Sequence, residues 1–468
     1  MKPLYQWSAT ELQRALAKGA IRATDVVESC FQQICQDNDR LKAFITLCSE
    51  QALAEAQAVD AARDRGELLG PLAGIPISVK DLTATAGVRT TQGSLIYQDW
   101  IPTQDDLCVA RLKQAGAIVI GKTNTPEFGL GAHVTNPLYG PTATPYDPSR
   151  TSGGSSGGAA VSVAMGMCPL AHGTDMGGSV RTPASFCGVV GLRPAVGRIP
   201  RRRMRWDDLD TDGVMARTVE DAALMLSVMA GWDAQDPISI SAPWPCPILD
   251  ESVRDQVRGK VRVGFSADLG ITPIDAEVRL VFEAAIVKMT PICRQVDPVY
   301  PDCTLASAAF EPLRAGLLSH KHQRHYDQHF DQLTPTVRWN VARGQGLTAA
   351  ELLTAAGHRD QLYRNFLRFF ESHDILATVS ACVPPFPHDQ PEVLTVDGTP
   401  LNTILDYLKI TYTISLTGLP ALSIPCGWTE TGLPIGLQLV GPPQGEMALL
   451  QFAYLLQEDL QFRHRWPT

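Results

Sequence analysis

The strongest limit on this fold comes from short apolar runs closed off by glycine or proline, at residues 75–79, 118–120, 261–265, 375–379, 422–424 and 437–440. Runs this short, bounded by turn residues, suit strands better than helices. Segments with helical spacing lie between them. The alternation predicts an α/β protein with a sheet covered on both faces, where strands need no wet side and so no polar alternation.

Ahead of those runs, residues 1–66 read as helices. Ser8-Ala-Thr-Glu11 has the form of a capping box, and Leu12, Leu16, Val26, Val27 and Cys30 recur at helical spacing. Further on, Thr218-Val-Glu-Asp221 opens a helix that Ala222, Leu226 and Met229 continue and Gly231 ends. No repeat, low-complexity stretch or run of like charge divides the 468 residues. One large domain over 1–468 is therefore expected, with N-terminal helices over 1–66, a core over 67–200 and a less regular region over 242–385 that faces the substrate.

Composition removes several classes of function. Asp and Glu total 49 against 40 Lys and Arg, a formal charge of −9, which repels a polyanion, so nucleic acid is not expected as a partner. The one basic cluster, Arg201, Arg202, Arg203 and Arg205, runs straight into Asp207, Asp208, Asp210 and Asp212 and reads as a solvated charged loop. Eleven cysteines, an odd number with no C-x-x-C pair, point to a reducing cytoplasm rather than a disulfide framework. The N-terminus lacks the apolar centre of a signal peptide. The most apolar later stretch, 159–171, is short and broken by Gly166 and Pro169, so no membrane association is expected.

Gly116-Ala-Ile-Val-Ile-Gly121-Lys122-Thr123 fits the G-x-x-x-x-G-K-[ST] pattern of a phosphate loop. Such a loop must curl its N–H groups around the anion between a strand and a helix, whereas here the residues between the glycines are themselves the strand. A P-loop nucleotide-binding protein is thus the alternative from another class, and not the preferred one. His320, His322, His325 and His329 cluster on one expected helix without an H-E-x-x-H pattern; they read as a polar helix face, then as a pocket wall, and only last as a metal site.

Three other segments carry chemistry. Arg150-Thr-Ser-Gly153-Gly154-Ser155-Ser156-Gly157-Gly158-Ala159-Ala160 precedes an apolar run, so it reads as a tight loop entering a buried helix rather than a linker. Gly173-Thr174-Asp175-Met176-Gly177-Gly178-Ser179-Val180-Arg181 places two glycines before a serine, a backbone able to converge N–H groups on an oxyanion. Gly74-Ile75-Pro76-Ile77-Ser78-Val79-Lys80-Asp81 ends a strand-like run in a lysine that burial would discharge. Alternation along the strand turns Asp81 to the opposite face from Lys80.

Together these segments resemble the amidase-signature family, and so do Gly121-Lys-Thr-Asn-Thr-Pro-Glu-Phe128, Phe186-Cys-Gly-Val-Val-Gly-Leu-Arg-Pro194 and Thr417-Gly-Leu-Pro-Ala-Leu-Ser-Ile-Pro425. The resemblance implies a mixed, mostly parallel central sheet with helices on both faces. It implies an amidase in which Ser179 is the nucleophile, Ser155 a bridging serine behind a cis peptide from Gly154, and Lys80 the base. Met176, Gly177 and Gly178 would supply oxyanion N–H groups, and Gly129 and Leu130 would line the acyl pocket. Neither metal nor organic cofactor is implied, and the partner is a small-molecule amide. A homodimer is left open. The nearest rival on the same site is the glutaminase subunit of a tRNA-dependent amidotransferase, which requires a partner protein; Ala159 and the lack of a basic surface lean against it.

Overall fold

The computed structural model describes residues 2–201, 207–390 and 392–467. Eleven of the described strands form one sheet, in the spatial order Phe44–Leu47, Ile118–Thr123, Pro76–Lys80, Leu170–Asp175, Thr211–Ala216, Val190–Arg193, Ala421–Trp428, Pro434–Val440, Ile375–Val379, Arg262–Phe265 and Gln295–Asp297. Every residue of Pro76–Lys80, Leu170–Asp175, Thr211–Ala216, Ile375–Val379 and Pro434–Val440 is buried. Successive side chains on a strand point to opposite faces, so both faces of the sheet are covered.

The sheet is mixed, but parallel pairing is in the minority. Pro76–Lys80 runs parallel to both of its neighbours, and Arg262–Phe265 does the same; the other six pairings are antiparallel. The expected parallel majority is corrected for a simple reason. A buried apolar run looks the same in either direction, and direction is set by the connection: Ala421–Trp428 and Pro434–Val440 are joined by a short turn that only an antiparallel pair can use.

The N-terminal segment folds into helices Ala9–Ala17, Ala23–Leu41 and Ser49–Asp64. Ser8 caps the first, its hydroxyl accepting from the Glu11 N–H at 3.0 Å while Glu11 accepts from the Ser8 N–H at 2.7 Å. Between the second and third lies Phe44–Leu47, an edge strand that the helical reading of 1–66 passes over. Val219–Met229 forms as expected, with the Thr218 hydroxyl accepting from the Asp221 N–H.

The parallel pairing of Pro76–Lys80 with Leu170–Asp175 builds the site. In that register Val79 lies opposite His172, so both strands end at the same edge of the sheet and deliver Lys80 beside Thr174 and the loop that follows Asp175. The buried helix Gly157–Ala164 packs against Leu170–Asp175, and the loop entering it brings Ser155 and the N-cap Ser156 to that edge.

Candidate active site

Lys80 is fully buried, and its Nζ meets three hydroxyls: Ser155 Oγ at 2.7 Å, Ser156 Oγ at 2.8 Å and Thr174 Oγ1 at 2.9 Å. Ser156 Oγ donates to the Thr174 carbonyl at 3.2 Å, which commits it to accept from the lysine. A neutral amine has two N–H groups and one lone pair. Three hydroxyl contacts can satisfy it without any carboxylate, whereas an ammonium would have to offer three protons here with no countercharge in contact.

Burial accordingly lowers the Lys80 pKa to about 7, against the pull of the more distant Asp210, Asp175 and Asp212 carboxylates. The neighbouring Asp81 takes no part. Its carboxylate accepts from the Thr91 N–H at 2.9 Å and the Thr91 hydroxyl at 2.5 Å, on the far side from Lys80, as strand alternation requires.

The loop holding Ser155 depends on missing side chains. A Cβ on Gly154 would lie 2.9 Å from backbone atoms of Gly131, Ala132 and His133, and the Gly154–Ser155 peptide is cis. The Ser156 N–H donates to the Ser179 carbonyl at 3.1 Å, tying the two Gly-Ser loops together. Gly178 has φ +116°, and a Cβ there would sit 2.3 Å from Thr411 Oγ1; only glycine fits both demands.

Asp175 organises the second loop, a role the motif alone does not reveal. Its carboxylate accepts from the N–H groups of Gly178 at 2.9 Å and Val180 at 3.0 Å, and it is held by Arg181 at 2.8 and 3.1 Å. Arg193 donates to the Asp175 carbonyl. The two guanidiniums and these N–H donors outweigh burial and keep the Asp175 carboxyl far below the usual range. One expectation is corrected as a result: the Gly178 N–H, assigned to an oxyanion, is spent on Asp175.

Ser179 is half-buried and lines a narrow cavity of about 50 Å³ together with Met176, Gly177, Gly129 and Leu130. A Cβ on Gly129 would stand 3.5 Å from Ser155 Oγ, so this glycine keeps the approach to the serines open. The far wall comes from the 242–385 region, including Phe310, Arg314 and Asn340.

A larger cavity of about 440 Å³ is bordered by Thr174, Leu82, Phe128, Asp212, His322 and His325. His322 and His325 stack on Phe128 with ring centroids 4.6 and 5.2 Å apart, and His325 Nε2 meets the Tyr97 hydroxyl at 3.0 Å. These two histidines therefore form a pocket wall, and the exposed His320 borders the same cavity. Arg201 is likewise no free surface charge, since it pairs with Asp210 at 3.0 Å and Asp212 at 3.4 Å. Arg202, Arg203 and Arg205 lie outside the described residues.

The phosphate-loop pattern folds as the strand Ile118–Thr123. Its Lys122 is fully buried and donates to the Thr83 carbonyl and to the Thr85 and Thr90 hydroxyls, so no cradle for phosphate forms. Cys108, His172 and Asp212 come close enough to suggest a metal. Yet His172 Nε2 faces Asp212 at 2.9 Å and Cys108 Sγ at 3.6 Å, and burial holds the Cys108 thiol far above its usual range. A protonated thiol beside a hydrogen-bonded histidine and carboxylate is a poor ligand set. No described helix is long and apolar enough to cross a membrane.

The model of the Amidase family matches residues 25–450. One component of the glutamyl-tRNA(Gln) amidotransferase of Moorella thermoacetica is 36% identical to this chain over 493 aligned positions, covering 99% of each. A solved structure described as part of a vestigial protein complex that reveals the origins of an s-triazine catabolic enzyme superposes with a TM-score of 0.90 at 30% identity, over 99% of this chain and 100% of that one. A bacterial aryl acylamidase of the amidase-signature type shares the fold, with a TM-score of 0.90 at 24% identity over 98% of each chain. Such agreement along nearly the full length, in sequence and in fold, places the chain in the amidase-signature family of hydrolases that act on carbon–nitrogen bonds.

Proposed function

We propose that this chain cleaves a carboxamide through an acyl-enzyme on Ser179. The observation that carries the reading is the buried Lys80 amine, held at a pKa of about 7 among three hydroxyls and no carboxylate. Ser155 passes its proton to Lys80 and takes the Ser179 proton as the Ser179 oxygen adds to the amide carbon. The C–N bond then breaks and the leaving nitrogen receives the proton back along the same relay. Water attacks the acyl carbon, gives up a proton by the same route, and releases the acid and Ser179. Met176, Gly177 and Ser179 line the cavity, and their N–H groups would hold the oxyanion.

Of the two uses of this chemistry, the relatives favour the glutaminase role over a free-standing amidase. The Moorella thermoacetica protein is an amidotransferase component that matches end to end, which outweighs the lean drawn from Ala159 and an acidic composition. In that role the amide is glutamine, the released ammonia passes to a partner, and the chain works within a larger assembly. The test is ammonia release from glutamine and from aliphatic and aryl amides, with and without the remaining amidotransferase components, alongside fluorophosphonate labelling. Labelling is expected on the Ser179 peptide and to vanish in Ser179→Ala. Full activity in that variant would overturn the reading.

A further inference from the structure

Arg314 is the one cation on the wall of the narrow cavity that holds Ser179, among the described residues. It is half-buried. Of its five N–H donors, one is engaged among the described residues, to Asn340 Oδ1. Asn340 is itself 2% exposed and anchored by donating to the Thr336 carbonyl at 2.8 Å, so its oxygen is fixed toward the guanidinium. The carboxylate that could neutralise Arg314, Glu311, is tied instead to Arg343 at 2.5 Å. Burial, with Arg343 adding repulsion, lowers the Arg314 pKa to about 10 despite Glu311. No acidic side chain is among the described residues lining this cavity. A half-buried guanidinium with open donors, on a cavity wall that carries no acidic group, is ready to pair with an anion.

We propose that Arg314, oriented by Asn340, is a specificity-determining residue that binds a carboxylate on the substrate, so that the preferred amides are small acid-amides rather than neutral ones. This rests on the amide-cleaving reading above. The cavity is small, about 50 Å³, and a planar carboxylate can take two parallel in-plane N–H bonds from a guanidinium edge that Asn340 leaves free. Binding there would also fix the direction in which the carbonyl meets Ser179.

The experiment compares kcat/KM for succinamate with that for butyramide, which has a similar length and no charge. A charge-assisted pair predicts a preference of about 10- to 100-fold for succinamate in the intact protein. Arg314→Gln should remove most of that preference, and Arg314→Lys, which keeps the charge without the planar fork, should retain part of it. Should Arg314→Gln fail to fold, as judged by thermal melting, the wild-type ratio and Arg314→Lys decide. Ammonia release without preference for succinamate, or an unchanged ratio in folded Arg314→Gln, overturns this inference alone. No ammonia from any amide, with no fluorophosphonate labelling of Ser179, overturns the proposed chemistry and this inference with it.

Discussion

Two buried lysines lie on adjoining strands of the sheet and meet different partners. Lys80 ends Pro76–Lys80, and Lys122 lies in the adjoining parallel strand opposite Val79. Both are fully buried, and burial lowers the pKa of Lys80 to about 7 and of Lys122 to about 8. Their partners differ. Lys80 reaches three hydroxyls, two of them on the Gly-Ser loop that opens toward Ser179. Lys122 reaches the Thr83 carbonyl and two threonine hydroxyls, with Asp81 the largest charge pulling it toward the ammonium form. A low pKa by itself does not mark a functional lysine. What separates the two is that one hydroxyl partner of Lys80, Ser155 Oγ, stands beside Gly129 on the wall of the Ser179 cavity.

The largest expected difference between them is in rate. Lys80→Ala should lower kcat/KM by about 10²- to 10⁴-fold, the usual worth of a positioned base, and Lys80→Arg should fail as well because guanidinium does not deprotonate in this range. Lys122→Met should leave the rate of the folded protein within about threefold while reducing stability by about 1–3 kcal/mol, through the loss of hydrogen bonds to Thr83, Thr85 and Thr90. Steady-state ammonia release and urea unfolding separate the two outcomes. An inactive but stable Lys122→Met would break the contrast.

A smaller and sharper effect lies in the pH profile. With Lys80 neutral as the base, kcat/KM should rise through an apparent pKa near 7 and level off above it. Lys122→Met should not move that inflection, and Lys80→Ala should abolish it. A profile that follows Lys122 instead would reverse the assignment.

Stability should respond to pH in a direction set by the same shifts. Each lysine titrates in the folded protein below its ordinary value of 10.5, so between about 7 and 10.5 the unfolded chain holds protons that the folded one lacks, and stability rises with pH. Asp81 works in the opposite sense in a separate window: burial raises it from 3.8 to about 6, the folded state keeps the proton, and stability falls as pH climbs between those values. The urea midpoint should therefore climb less steeply above pH 7 in Lys80→Met than in the parent protein. The smallest expected signal is ATP binding at the Gly116 to Thr123 segment, where calorimetry should detect none; measurable affinity would revive the phosphate-loop reading of Lys122.

The contrast also shows where sequence reading works. Gly154 and Gly178 are visible as glycines in motifs, although what excludes a larger residue there is contributed by 131–133 and by Thr411, and Lys80 is visible because a strand ends there. Lys122 sits in a motif just as sharp, yet the pattern says nothing of the threonines that enclose it. Thr174 and Ser156, which complete the Lys80 environment, are unremarkable residues within quoted motifs, and only the parallel register makes them its partners. Phe44–Leu47 is missed because an edge strand of four residues between two helices carries too little periodicity to read.

By itself the sequence determined the class of the fold, the positions of the Gly-Ser loops and the strand-end lysine, since each follows from local backbone freedom, hydrophobic period or a recognisable string of neighbours. Only the tertiary structure decided strand direction, the commitment of the Gly178 N–H to Asp175, the inward turn of His322 and His325, and the meeting of Arg314 with the Ser179 cavity. The last two depend on contacts between segments more than a hundred residues apart; strand direction follows from the connections, and the Gly178 bond from the path of its loop, neither of which the pattern of side chains encodes.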